Sequence, residues 1–561
     1  METIWKSVGL GLMLFVLIGF ILYPILCMVI ESVTIDGTMS FENYGAFFDL
    51  RSTSNIEALW NSLWVSVVSV LICGLIGTGL AVVFSEFDLP LSRFLSKIAV
   101  LPIALPPLVG VLSFFFLVGE SGIIPRAIMS IPGFGGISFG LEGFSGVIVV
   151  HSYVFYVYFY LFASAALSRL DSSLIEAAEN LGSSRLRTLL RVILPQLRPA
   201  LVGASLLTFM MSMASFTAPL IFAADKRFLT LQIFNAKLNG DFDIAATQSV
   251  VLSMIAMGFL LLLRLSSREW RLQGTVKGVT RPRRVAVPPG GRLLRWALSL
   301  TLAVLLLLPL LTVLLISFVK EGSWTWQILP QNFTVSNYAD LFMRSGVFEP
   351  IRNSLIMSGL ATFLSVLFGF GVAYATVRGR WRWGARALET VALLPAAIPG
   401  TVLAINFILA FNSPTLFAGY RVLVGTFWIL PLAYFVRNMP LVVRSSLAGL
   451  EQIDPSLDEA AKNLGASWTR RLRRVLLPVL LPSIISGGLL TFIACMGDFV
   501  TSIMLYTVFN RPIAVEIFSQ LRLYNFGGAA AYSMILLVLI VVALEITVRS
   551  LGGRRSQLMY F

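Results

Sequence analysis

Apolar runs long enough to cross a bilayer recur along the whole chain, and they constrain the fold more than any other feature. Hydrocarbon is spanned by ~20 helical residues. Twelve such runs are read, near 8–30, 60–84, 96–118, 145–167, 200–222, 245–265, 294–318, 352–376, 387–411, 422–445, 484–508 and 528–548. Inside a membrane each backbone N–H and C=O needs an internal partner, so runs of this length predict helices. The chain is 57% hydrophobic and only 12% charged, with a mean hydropathy of +0.86. The fold class expected is therefore an all-α polytopic membrane protein. The first run is too long for a signal peptide, and no small-residue cleavage site follows Ile30.

A net charge of +14 would suggest nucleic acid until the charges are placed. With the N-terminus inside, about 31 of the 42 Lys and Arg fall in the segments between spans that face the cytoplasm. The basic excess is then topology and contact with anionic lipid, with both termini cytoplasmic. Cys27, Cys73 and Cys495 lie in apolar runs at unrelated spacing and read as small packing residues. They form neither a disulfide framework nor a zinc pattern, and no metal or cofactor site is expected in this chain.

One charged pattern occurs twice. Residues 174–201 read LIEAAENLGSSRLRTLLRVILPQLRPAL, and residues 457–484 read LDEAAKNLGASWTRRLRRVLLPVLLPSI, identical at 16 of 28 positions. The duplication extends outward. Asn61-Ser62-Leu63 matches Asn353-Ser354-Leu355; Leu101-Pro102 with Pro106 matches Leu394-Pro395 with Pro399; Leu206 to Phe209 matches Leu489 to Phe492. The reading is two parallel six-helix repeats, 1–265 and 293–561, with loops 168–198 and 447–482 in equivalent places. An even number of spans per repeat puts both loops on one side. Residues 266–292, rich in Arg, Gly and Pro without an apolar period, read as a cytoplasmic linker.

The loops have the grammar of a helical elbow. Asp171 and Asp454 suit N-caps, and Pro455 suits the first helical position. Glu176 and Glu459 fall where the helix dipole favours negative charge. Gly182 and Gly465 suit a left-handed C-terminal turn. A basic helix follows, with Arg185, Arg187 and Arg191 in one copy and Arg470, Arg471, Arg473 and Arg474 in the other. Pro195 and Pro478 are expected to stop or kink it. Interfacial helices held by lipid would need neither the acidic start nor the glycine turn, so insertion into a soluble partner is the sharper expectation.

This Glu-Ala-Ala…Gly pattern resembles the signature loop of binding-protein-dependent ABC importer permeases, and the match covers nearly the whole chain. Fused permeases of this length are similar to the ferric-iron, thiamine and aminoalkylphosphonate group, with polyamine permeases as near relatives. The resemblance implies that Glu176, Ala177, Ala178 and Gly182 face one ATPase subunit, and Glu459, Ala460, Ala461 and Gly465 a second. It also implies a periplasmic or lipid-anchored solute-binding protein as partner, and a bacterial plasma membrane location.

The chain itself carries no nucleotide site. A P-loop requires Gly-Lys-Ser/Thr; of the seven lysines only Lys6 precedes Ser, and Trp5 stands before it. ATP and magnesium are expected on the partner, and no catalytic constellation stands out around the single histidine, His151. For the pathway, Asp498 in the eleventh span and Ser215 at the equivalent place in the fifth are the candidates, for a cationic or hydroxyl-rich solute. An ion pair of Asp498 with an arginine is the plainer alternative. Arg437 and Arg444 are placed near the inner interface, His151 among aromatics, and Met210, Met211 and Met213 in packing. Trp324, Trp326 and Tyr338 are read as interfacial belt residues. Ferric iron is the favoured cargo, with thiamine, an aminoalkylphosphonate or a polyamine open. A proton-coupled secondary transporter has the same span count but no reason for the elbows.

Overall fold

The computed structural model describes residues 2–35, 37–49, 53–133, 139–272, 292–343, 345–378 and 382–550. Among the described residues, apart from one two-stranded hairpin, Thr34–Ile35 with Thr38–Met39, the regular structure is helical. Among the described residues ten helices are long and apolar enough to cross a membrane. A bent pair, Gly384–Ala397 with Gly400–Phe411, folded by 113°, makes eleven when it is counted as one span, by length and composition. The helix Ile429–Glu451, where the tenth run was read, is long enough at 23 residues. Its polar residues keep it out of that set: Arg437, Asn438, Arg444, Ser445 and Ser446 lie on it and lower its mean hydropathy. The linker read at 266–292 falls mostly outside the described residues; its first part continues the helix Phe242–Leu272, and Arg292 opens the next.

Four run boundaries are corrected, and proline chemistry explains them. The third and ninth runs were read as straight spans. Both instead bend where the repeated prolines fall. Leu105 and Ile398, each preceding a proline, are extended, as the proline ring demands of its neighbour. Pro106 and Pro399 then cap Pro107–Val118 and Gly400–Phe411. The fifth and eleventh runs start earlier and end sooner than read, as Arg185–Met213 and Trp468–Met496. Pro195 and Pro478 do not stop these helices. A π-turn, Leu189–Ile193 or Leu472–Leu476, precedes each proline and widens the backbone where its ring would strike the carbonyl four residues back.

The repeated Asn-Ser-Leu has a structural reason. Ser62 accepts the N–H of Leu229 at 3.0 Å, and Ser354 that of Ile513 at 2.8 Å. Those are the first residues of the helices Leu229–Asn239 and Ile513–Arg522, whose opening N–H groups lack helical partners. Asn61 donates to the carbonyl of Arg227 and Asn353 to that of Arg511, at 3.0 and 3.2 Å.

The two halves are interleaved. The leading helix of the first half lays Phe15 and Tyr23 against Phe417, and Phe20 and Tyr23 against Phe411, all in the second. Gly19 permits that approach, because a Cβ there would sit 2.3 Å from the Phe417 ring. In return Arg292–Ile316 packs on Pro107–Val118, and Tyr153 donates to the Leu306 carbonyl at 2.8 Å. Trp324, read as a belt residue, is buried beneath Arg126, whose guanidinium lies 4.4 Å from its ring centre. Trp326 is exposed, and Tyr338 is half-buried with its hydroxyl on Ser317.

Candidate functional site: paired elbows and a central cavity

Each charged loop forms the same short helix and turn. Asp171 accepts the N–H of Ser173 and starts Ser172–Asn180; Asp454 accepts that of Ser456 and starts Pro455–Asn463, both at 2.9 Å. The same hydrogen bond holds the Asp454 carboxyl below the usual carboxylate range. Gly182 and Gly465 close the helices with φ of +76° and +77°, a region where a side chain is strained. Around them the bonds repeat. Ser183 N–H reaches the Ala178 carbonyl at 3.0 Å, and Ala466 N–H the Ala461 carbonyl at 3.1 Å.

Glu176, Ala177 and Gly182 are exposed on the first elbow, as are Glu459, Ala460 and Gly465 on the second, with Ala178 and Ala461 half-buried. Leu181 and Leu464, which the sequence reading passed over, are each 88% exposed at the apex of the turn. An apolar side chain held so far out, twice, at equivalent places suits a groove on another protein. The elbows are not equally braced. Trp468 donates to the Tyr374 hydroxyl at 2.8 Å and Arg471 lies 3.1 Å from Asp458; the first elbow has Arg185, Thr188 and Ile175 at the corresponding positions.

Between the halves lies a cavity of about 490 Å³. Its walls include the proline bends from both halves, Pro102 and Pro107 facing Pro395 and Pro399, together with His151, Ser215 and Arg437. Met210 and Met211 are also on the wall, whereas Met213 is packed in the core.

Ser215 and Asp498 are not within their spans, as first read, but in the short break after each helix ends. Ser215 Oγ is 2.9 Å from His151 Nε2, and Ser69 and Ser212 each stand 3.1 Å from Nδ1. His151 is thus buried among three hydroxyls as well as beside Phe155. Asp498 is 4% exposed and forms the ion pair weighed as the plainer alternative, 3.0 Å from Arg437 Nη1. It also accepts the Thr501 N–H at 2.9 Å, capping the helix Val500–Leu505. Arg437 lies in the interior of its helix, and its side chain, 29% exposed, reaches the cavity wall.

Just past these breaks four phenylalanines form a row: Phe234 against Phe216 at 5.3 Å, Phe216 against Phe499 at 6.2 Å, and Phe499 against Phe518 at 5.5 Å. The sequence reading missed it. Its signal was available, because Phe216 and Phe499 follow Ser215 and Asp498 directly.

Fold, interleaved repeats and central cavity define a multi-pass membrane protein with the build of a transport permease. Residues 74–268 and 365–550 each match the family described as the binding-protein-dependent transport system inner membrane component, and the chain belongs to that family. It is 30% identical over 521 residues to a protein of Sinorhizobium fredii provisionally named ABC transporter permease y4fN, covering 92% of this chain and 91% of that one. It is 28% identical over 499 residues to the ferric transport system permease protein FbpB of Actinobacillus pleuropneumoniae, covering 87% and 70%. A protein of Salmonella paratyphi A, provisionally named 2-aminoethylphosphonate transport system permease PhnV, is 28% identical over 264 residues, covering 46% of this chain and 94% of that one.

Proposed function

We propose that this chain supplies both halves of the membrane pathway of an ATP-driven importer, taking a small solute from a binding protein into the cytoplasm. The observation that carries the reading is the pair of matching elbows, each presenting Glu, Ala-Ala, an exposed leucine and a left-handed glycine. Each elbow seats in one of two ATPase subunits, which hold ATP and magnesium; this chain hydrolyses nothing itself. Both termini and both elbows face the cytoplasm, in keeping with the basic excess of those segments. ATP-driven closure of the subunits would rotate the halves and open the cavity toward the loaded binding protein; hydrolysis resets it. Each state is favoured by its own contacts with the partners.

Ferric iron is the favoured cargo, supported by the likeness to FbpB over most of the chain. An aminoalkylphosphonate is the next reading, from the likeness of one half to PhnV; thiamine and polyamines share the architecture. Ser215 on the wall, and Asp498 through Arg437, belong to the pathway. The test is charge reversal of Glu176 and Glu459 together with Gly182→Val and Gly465→Val. The variant should lose its co-purifying ATPase and its ATP-dependent uptake. Normal recruitment and uptake would refute the role given to the elbows.

A further inference from the structure

The cavity wall is charged in a one-sided way. Of its lining residues only Arg437 carries a formal charge at neutral pH, and none is Asp, Glu or Lys. Asp498, the partner of Arg437, lies behind it at 4% exposure and is not on the wall. The guanidinium is used unequally. Nη1 alone donates to Asp498 and to Thr501, leaving the rest of the fork without a protein acceptor among the described residues. Its position is built in: Gly400 gives it room, since a Cβ there would lie 2.1 Å from Nη1. Gly400 also opens the 12-residue helix Gly400–Phe411. The positive end of that helix dipole therefore adds to the arginine's field instead of offsetting it. A planar fork with free donors, on a water-accessible wall within a membrane, is the group that recognises oxyanions.

We propose that Arg437 contacts the cargo during passage, and that what crosses bears an oxyanion, whether a free phosphonate or phosphate or an oxyanion coordinated to ferric iron. This rests on the import reading and narrows it. A bare trivalent cation or a polyamine would meet an arginine with no counter-charge on the wall. A metal ion escorted by carboxylate or phosphate oxygens would meet a matching donor. Asp498 then holds the guanidinium in place from behind and caps Val500–Leu505, without touching the solute.

The test uses the intact permease–ATPase complex with its binding protein in proteoliposomes. The probes are labelled 2-aminoethylphosphonate, ⁵⁵Fe(III) with and without citrate or phosphate, and putrescine. Arg437→Gln should lower ATP-driven uptake at least tenfold while the ATPase still co-purifies. Arg437→Lys should recover part of it, and Asp498→Asn, which loosens the arginine without removing it, should cost less uptake than Arg437→Gln. Arg437→Gln combined with Asp498→Asn should be as poor as Arg437→Gln alone. Uptake of the phosphonate marks a free oxyanion as cargo; ⁵⁵Fe uptake only with citrate or phosphate marks a metal-borne one. Recovery in the double variant would make Arg437 a structural counter-ion and overturn the proposal. So would normal uptake by Arg437→Gln, or putrescine as the only cargo. Uptake of labelled thiamine in place of these probes would also overturn the proposal; if the parent complex moves none of the four under ATP, the import reading fails first, and loss confined to the variants isolates the arginine.

Discussion

Phe216 and Phe499 face each other across the junction of the halves, 6.2 Å between ring centres, from equivalent places in the two repeats. Both are 1% exposed, and each rests in turn on its own half's second ring, Phe234 or Phe518. Phe216 is also on the cavity wall. The pair follows the ends of the helices Arg185–Met213 and Trp468–Met496 that lead away from the elbows, and on the import reading outward opening has to part it. Phe216→Ala with Phe499→Ala should raise ATPase activity in the absence of binding protein and let the reconstituted permease leak small solutes. A double-mutant cycle on stability should return about 0.5–1.5 kcal/mol of coupling for such rings. A tight double variant with unchanged basal ATPase would remove the row's role as a seal.

The unequal bracing of the elbows predicts unequal dynamics. Trp468 and Tyr374 tie the second elbow to the helix Ser345–Arg378, and the first has Arg185 in that place. Amide exchange over 455–466 should be slower than over 172–183. Trp468→Phe removes a bond worth about 0.5–1.5 kcal/mol and should bring the two rates together. Equal rates in the parent would contradict this.

Ser62 and Ser354 satisfy buried N–H groups that would otherwise have no acceptor. Ser354→Ala should destabilise the protein by about 1–3 kcal/mol, the cost of leaving the Ile513 N–H unpaired. Ser354→Thr, which keeps the hydroxyl, should cost less. Thermal unfolding in detergent reads both.

The cap on the second elbow sets its acid limit. The Asp454 carboxyl is held below its ordinary range by the Ser456 N–H, so its contribution to the elbow is complete above the unfolded value of about 3.9. It is lost as pH falls through the lower folded value. Protection of 455–463 should therefore be flat from pH 8 to 5 and fall only in stronger acid. Asp454→Asn, which still accepts the bond, should abolish that acid dependence. A fall already at pH 6 would point to a different group.

Much of this was legible in the sequence because it was written twice. The caps at Asp171 and Asp454 and the turns at Gly182 and Gly465 are local: one residue fixes one dihedral or one bond. Helix ends were less legible, since hydropathy measures transfer to oil and carries no register. It ran the fifth and eleventh spans past Met213 and Met496 and hid the breaks that hold Ser215 and Asp498. Pro195 and Pro478 do not end their helices, because a π-turn absorbs a proline that a regular turn would not. Contacts between halves, such as Gly19 on Phe417 and Arg437 on Asp498, depend on docking, and no period along one strand of sequence encodes them.

Cross-linking from the two elbows tests the central claim most directly. Cys27, Cys73 and Cys495 are replaced, single cysteines are placed at Ala177 and at Ala460, and the intact complex is treated with a short thiol-to-amine reagent. Each site should capture one ATPase subunit, and ATP should change both yields together. A stable complex in which neither site reaches the ATPase would contradict the account.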